Sequence, residues 1–259
     1  SIKGGIKFWP RKFTLKNYSA LFQTNYIFKA GIISVTRTIL QTVFSVFCTA
    51  MLAYALSRKE YPLRRVLTTI LVISMYVNAG LIPGYMFIKR LGMLNTYAVY
   101  IVPNLVDIFN FILIRTYING LPDSFVESAR IDGANEFKIF TSIIMPLIVP
   151  SIAMISLFVA VGAWNSWFDT YLYTSSKKNL HSLQYVLMSY LQASQSQSKS
   201  ASDAGSAAIA ASSGAAAAQV TPIAIRSSIT MIATVPILIV YPFVQKYFVV
   251  GMTIGGVKE

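Results

Sequence analysis

Few side chains in this sequence can do covalent chemistry. Cys48 is the only cysteine and His181 the only histidine, so neither a disulfide nor a Cys/His metal site can be built within the chain. Cys48 lies in an apolar run, where a thiol acts as a small hydrophobe. His181 lies in a polar loop and is expected to be solvated. No nucleophile–base–orienter set is evident, and no GxxxxGK[ST] run is present to cradle phosphates. What remains is recognition. Glu127, Arg130 and Asp132 can make charged contacts at a protein surface. Trp164, Asn165 and Trp167 in "WNSW", with Tyr76, Asn78 and Asn110, offer the ring faces and amides that grip sugars; an interfacial aromatic belt competes for the tryptophans. Arg37 and Asp107 fall inside apolar spans, where a charge is costly and faces a partner or a wet cavity. An Arg37–Asp107 pair, a substrate contact and an Arg37 that snorkels outward all fit.

The elements that must position these groups are membrane spans. The chain has 259 residues, 55% hydrophobic and 12% charged, and its mean hydropathy is +0.58. Soluble domains carry about twice that share of charge. The net charge of +13 raises nucleic-acid binding, but the Lys and Arg residues sit in loops between apolar runs and form no basic helix face, so no nucleic-acid partner is expected. Runs long enough to cross a bilayer cover 30–56, 66–88, 97–118, 146–173 and 227–249. Pro83, Pro103, Pro236 and Pro242 interrupt three of them, as membrane helices tolerate. The fold class expected is an all-α integral membrane protein with five visible spans. The Ser-, Ala- and Gln-rich stretch 192–219 has too little apolar surface to pack and is read as a flexible insertion, part of which can form an exposed helix.

Between the third and fourth spans, in a loop 119–147, lies "ESARIDGANEFKIFTSIIMP". Ser124 and Glu127 have capping-box spacing, so a helix is expected to start there. Gly133 can end it in the left-handed conformation, and Asn135 and Glu136 can start a second. Phe137, Phe140, Ile143 and Ile144 repeat at helical spacing. Pro146 closes this helix and opens the fourth span. Ala129, Gly133 and Ala134 keep the turn narrow, so a helix–turn–helix elbow is predicted at the membrane surface. Loops on the elbow's side carry nine Lys and Arg and those on the opposite side twelve; by charge alone the elbow turns weakly outward.

The elbow resembles the EAA-x3-G-x9-I-x-LP loop of binding-protein-dependent ABC importer permeases. Glu127, Ala129, Gly133, Ile143 and Pro146 match it, with Ser128 in place of Ala and Met145 in place of Leu. "FTLKNYSALF" and "NAGLIPGYMFIKRLGMLNTYAVYIVP" look like parts of the carbohydrate-uptake class. "AVGAWNSWFDTYLY" and "YPFVQKYFVVGMTIGGVKE" resemble its oligosaccharide subgroup; the 192–219 stretch is outside the pattern. The resemblance implies a six-span core whose first span is missing from this sequence. It also implies a single transmembrane domain over 1–259 in the bacterial cytoplasmic (inner) membrane, and overrules the charge count by putting the elbow in the cytoplasm. There Glu127, Ser128, Ala129, Arg130, Asp132, Gly133, Ala134, Ile143 and Pro146 couple to an ATPase. This chain is then non-catalytic and holds no cofactor; ATP and Mg belong to two copies of the partner ATPase. A second related permease subunit, an extracytoplasmic solute-binding protein and an oligosaccharide are the other partners implied. The basic stretch Lys3–Lys16 attracts a binding protein, an acidic uronate-type sugar or anionic lipid. Tyr76, Asn78, Asp107, Asn110, Trp164, Asn165 and Trp167 are the pathway candidates. A permease for a non-sugar solute and an ion-coupled transporter are the competing functions; the latter needs buried carboxylates, and only Asp107 lies mid-span.

Overall fold

The computed structural model describes residues 25–200, together with Met231, 234–236 and Leu238. Nearly all of the predicted fifth span, the Lys3–Lys16 stretch and the 192–219 insertion beyond Ser200 lie outside the described residues. Among the described residues every regular element is helical.

The first helix, α1 (Asn25–Ser57), has 33 residues, about 50 Å at 1.5 Å per residue. It is longer than the predicted span 30–56 and is the axis on which the others pack, chiefly α4 (Ile108–Asn119) and α7 (Val149–Asn165). Its sequence reads as apolar all round, but its environment does not. Ser34, Arg37, Gln41, Ser45 and Thr49 recur at helical spacing and are all buried, whereas Phe28, Ile32, Val35, Ile39, Val43 and Phe44 are exposed. Polar groups inside and large apolar groups outside are the arrangement that lipid, not water, favours.

The second predicted span breaks. Helix α2 (Arg64–Tyr76) ends at Val77 and α3 (Leu81–Arg90) begins after Gly80. Gly80 has φ +88° and its N–H donates to Asn78 Oδ1 at 2.8 Å, a local turn that competes with the helix ladder. The third span also bends. Turns of 3-10 helix at Tyr97–Tyr100 and Val102–Asn104 meet α4 at 46°. Pro103 lies in the second of these turns, and Asp107 caps α4 by accepting from the Asn110 N–H at 2.8 Å.

The elbow is α5 (Ser124–Ile131) and α6 (Glu136–Leu147). Within α6 the stretch Phe140–Ile144 is π-helical, a widening next to Pro146, whose missing N–H opens the ladder. Helix α6 meets α7 at 83°. Pro146 lies in the last turn of α6, and α7 starts at Val149. Beyond α7, a π turn (Thr170–Thr174) and a 3-10 turn (Lys178–Leu180) lead to α8 (Leu183–Ser200). By length and composition one described helix is sufficient to cross a membrane, and three spans result if each bent pair counts as one.

Two buried clusters mark the two ends of α1. Val46, Ala50, Ala53, Tyr54 and Leu56 pack with Phe111, Ile114 and Ile118 of α4 and with the elbow. Ile27 and Ala30 pack with Trp164, Leu183, Val186 and Leu187. The elbow thus sits about 40 Å along α1 from the Trp164 end. His181 is buried at that distal end, not solvated. Its Nδ1 accepts from the Tyr26 hydroxyl and its Nε2 donates to the Ser175 carbonyl at 3.0 Å.

Candidate functional site

The elbow is built by three local devices. At its start, Asp123 occupies the cap position of α5 without a side-chain capping bond. Its carboxylate instead pairs with Lys59 at 2.7 Å, which holds the carboxyl below its usual range. The helix begins at Ser124, which is thus inside the first turn and not at the cap, so the predicted Ser124–Glu127 box does not form. At the turn, Gly133 has φ +77°. The Ala134 N–H donates to the Ala129 carbonyl and the Gly133 N–H to the Arg130 carbonyl, both at 3.0 Å, the paired bonds of a Schellman ending. Asn135 then caps α6 by accepting from the Lys138 N–H at 2.8 Å.

Val126, Ala129, Ile139, Phe140 and Ile144 hold the elbow to α1 and α4, with Ala134 and Ile143 partly buried beside them. Glu127, Ser128, Asp132 and Pro146 are exposed. So are three large apolar groups: Phe125, Phe137 and Ile131, the last 87% exposed. The sequence reading passed over Ile131. Its signal was an isoleucine just before the Asp-Gly turn, off the apolar face of both helices. Arg130 does not project freely as expected. It bonds Glu60 at 2.6 Å and Glu136 at 2.8 Å, and holds the Glu60 carboxyl below its usual range. Among the described residues, Glu127 and Asp132 form no ion pair.

The pathway candidates do not all converge. Asp107 and Asn110 line one open cavity of about 560 Å³ with Gln41, Ser45, Asn104 and Phe158. Gln41 is 9% exposed, and its Oε1 has no partner among the described residues. Sequence reasoning missed Gln41 and Ser45 because it treated α1 as uniformly apolar; their helical spacing from Arg37 was the available signal. Trp164 and Asn165 end α7 beyond this cavity, Trp164 in the distal core. Trp167 packs edge-on to Phe168 at 5.7 Å. Tyr76 is 81% exposed at the α2–α3 break, and Asn78 serves the turn there.

Arg37 does not pair with Asp107, nor does it snorkel. It is 1% exposed and bonds Asp169 at 2.9 Å, and its guanidinium lies 4.5 Å from the centre of the Tyr100 ring. Asp169 also accepts from the Ser166 hydroxyl. The Tyr100 hydroxyl meets Thr170 at 3.0 Å, Thr174 at 2.6 Å and the Leu180 carbonyl at 2.6 Å. This network ties α1 to the segment that follows α7. Among the described residues no His, Cys, Asp and Glu side chains cluster as a metal site.

An inside-out α1, bent spans and a surface elbow are the features of a membrane transport subunit, and residues 31–253 match the family described as Binding-protein-dependent transport system inner membrane component. The chain belongs to that family and is a permease of the ABC importer class. It is 35% identical over 249 residues to the polygalacturonan/rhamnogalacturonan transport system permease protein YtcP of Bacillus subtilis, covering 96% of this chain and 83% of that protein. It is 36% identical over 254 residues to protein LplC of the same organism, covering 96% and 81%. A bacterial ABC transporter involved in the import of the acidic polysaccharide alginate contains a chain with the same fold, at TM-score 0.79 and 27% identity, covering 95% of this chain and 84% of that one.

Proposed function

We propose that this chain is one of two membrane subunits of an ATP-driven importer for oligosaccharides, including acidic uronate-type ones. The elbow is the observation that carries the reading. Its apolar underside is fixed to α1 and α4, while Glu127, Asp132, Ile131 and Phe137 are left open on one exposed unit. An exposed apolar patch rimmed by charge fits a protein partner. In this reading the elbow is cytoplasmic and docks in a separate ATPase, of which two copies bind ATP and Mg. This chain is non-catalytic, and its partner permease is a related but different chain. The Trp164 end faces outward, where a solute-binding protein delivers sugar. The chain contributes five membrane spans, and sugar passes along the cleft lined by Gln41, Asn104, Asp107 and Asn110. Oligosaccharide specificity is supported by the relatives' names, and an acidic substrate by the polygalacturonan and alginate systems among them.

Two measurements test this. In intact cells, a cysteine at exposed Lys178 is expected to react with an impermeant thiol reagent and one at Lys138 is not; the reverse pattern overturns the topology. In proteoliposomes holding the purified complex, ATP-dependent uptake of digalacturonate is expected with the binding protein and not without it. Uptake of neutral arabinobiose alone would replace the acidic substrate with a neutral one.

A further inference from the structure

The elbow and the end of α1 are joined by a closed ring of polar contacts. Glu60, in the turn after α1, accepts from Arg130 of α5 at 2.6 Å. Arg130 donates to Glu136 of α6 at 2.8 Å. Glu136 accepts from the hydroxyl of Tyr54, in the last turns of α1, at 2.6 Å. The ring thus starts and ends on α1 and its following turn, and it captures both helices of the elbow. The flanking residues of that turn reinforce it. Arg58 lies 4.9 Å over the Tyr54 ring, and Lys59 reaches Asp123 at the start of α5 at 2.7 Å.

An isolated surface ion pair contributes little. A guanidinium shared by two carboxylates from different segments, one of them also anchored by a buried tyrosine, is a different object. The apolar layer beneath it includes Phe140 against Tyr54 at 5.6 Å and against Phe47 at 5.8 Å. Such packing resists separation but is non-directional. Hydrogen bonds are directional, so the ring resists sliding and rotation of the elbow across α1. At its far end the same helix carries Arg37 and packs on Trp164.

We propose that Tyr54, Glu60, Arg130 and Glu136 form a clasp that makes the elbow and α1 one rigid lever, so that ATPase-driven displacement of the elbow reaches the distal end of α1 undiminished. The inference rests on the coupling reading above. It assigns Arg130 a positioning role inside the permease and leaves Glu127 and Asp132 to the ATPase.

The test uses the whole importer in Cys48→Ser background, with nitroxide labels at exposed Phe44 of α1 and Ser142 of α6. Distances are compared without nucleotide and after trapping with ATP, Mg and vanadate. The wild-type clasp is expected to give the same narrow distance in both states. Glu60→Arg keeps it without nucleotide and loses it on trapping, whereas Glu60→Asp, which keeps a carboxylate for Arg130, retains it in both states. A narrow, unchanged distance in Glu60→Arg overturns the clasp. So does a broad distance in that variant already without nucleotide, which marks a merely structural support, or a wild-type distance that changes on trapping. Absence of the ATPase from the purified wild-type complex sinks the coupling reading, and the clasp with it; ATPase retained while Glu60→Arg behaves as wild type sinks the clasp alone.

Discussion

Arg37 and Asp169 lie 132 positions apart in the chain and meet at 2.9 Å inside the bundle. The contact fixes α1 against the segment after α7, under a Tyr100 ring that lies over the guanidinium. Removing one member leaves the other charge buried and uncompensated, which costs about 3–5 kcal/mol. Arg37→Met or Asp169→Leu alone is therefore expected to lower the melting temperature in detergent more than the double substitution does. Additive losses in the double variant would show that the two charges do not stabilise each other.

At the elbow, Gly133 has φ +77°, and no heavy atom lies within 4 Å of the place a Cβ would take there. Any penalty on substitution is then backbone strain alone, about 1–2 kcal/mol for an ordinary L residue and less for Asn. Gly133→Val should abolish copurification of the ATPase, Gly133→Asn should keep most of it, and both should leave the membrane bundle folded. Equal retention in the two variants would mean that the left-handed turn is not what the ATPase reads.

Glu127 is exposed and free of ion pairs among the described residues. Exposed positions of this kind change stability by less than about 0.5 kcal/mol. Glu127→Lys should leave the melting temperature unchanged while ATPase binding, measured by pull-down, falls at least about tenfold, the effect of losing about 1.4 kcal/mol at a protein interface.

Asp107 has a dual position, capping α4 and facing the polar cleft. Loss of a capping side chain costs about 1 kcal/mol, and Asn retains the cap. Asp107→Leu should therefore lower the melting temperature, whereas Asp107→Asn should not. Both should raise the half-saturating sugar concentration about tenfold, the loss of one hydrogen bond to a charged group. Wild-type uptake by Asp107→Asn would confine the residue to capping.

The Glu60 carboxyl is held below its ordinary value by the Arg130 hydrogen bond. A depressed carboxylate adds stability above its unfolded pKa and loses it as pH falls through the folded one. The difference in melting temperature between wild type and Glu60→Gln should thus be constant near neutrality, begin to shrink as pH falls through about 4.5, and vanish only below the lowered folded value. A difference that instead disappears as pH rises above neutrality would exclude this pairing as its source.

The elbow was legible in the sequence because its devices are local. A positive-φ glycine, an asparagine cap and a proline act within a few residues, so "ESARIDGANEFKIFTSIIMP" specifies two helices and a turn without help. The capping box did not form because the helix starts one residue earlier than the box requires: Asp123 holds the cap position and Ser124 is already in the first turn, while the Asp123 carboxylate pairs with Lys59. The run 66–88 reads as one helix because hydropathy averages over Asn78 and Gly80, the two residues that break it.

By itself the chain's order of residues determined that the protein is helical, belongs in a bilayer and carries a narrow elbow, because hydropathy and turn chemistry act over short stretches. Only the tertiary structure decided which charges meet. Arg37 found Asp169 and not Asp107, and Arg130 met Glu60 and Glu136 at the surface. It also decided that the polar stripe of α1 faces inward. Such choices depend on how helices are rotated and stacked against one another, and a buried charge accepts whichever partner that packing brings within hydrogen-bonding distance.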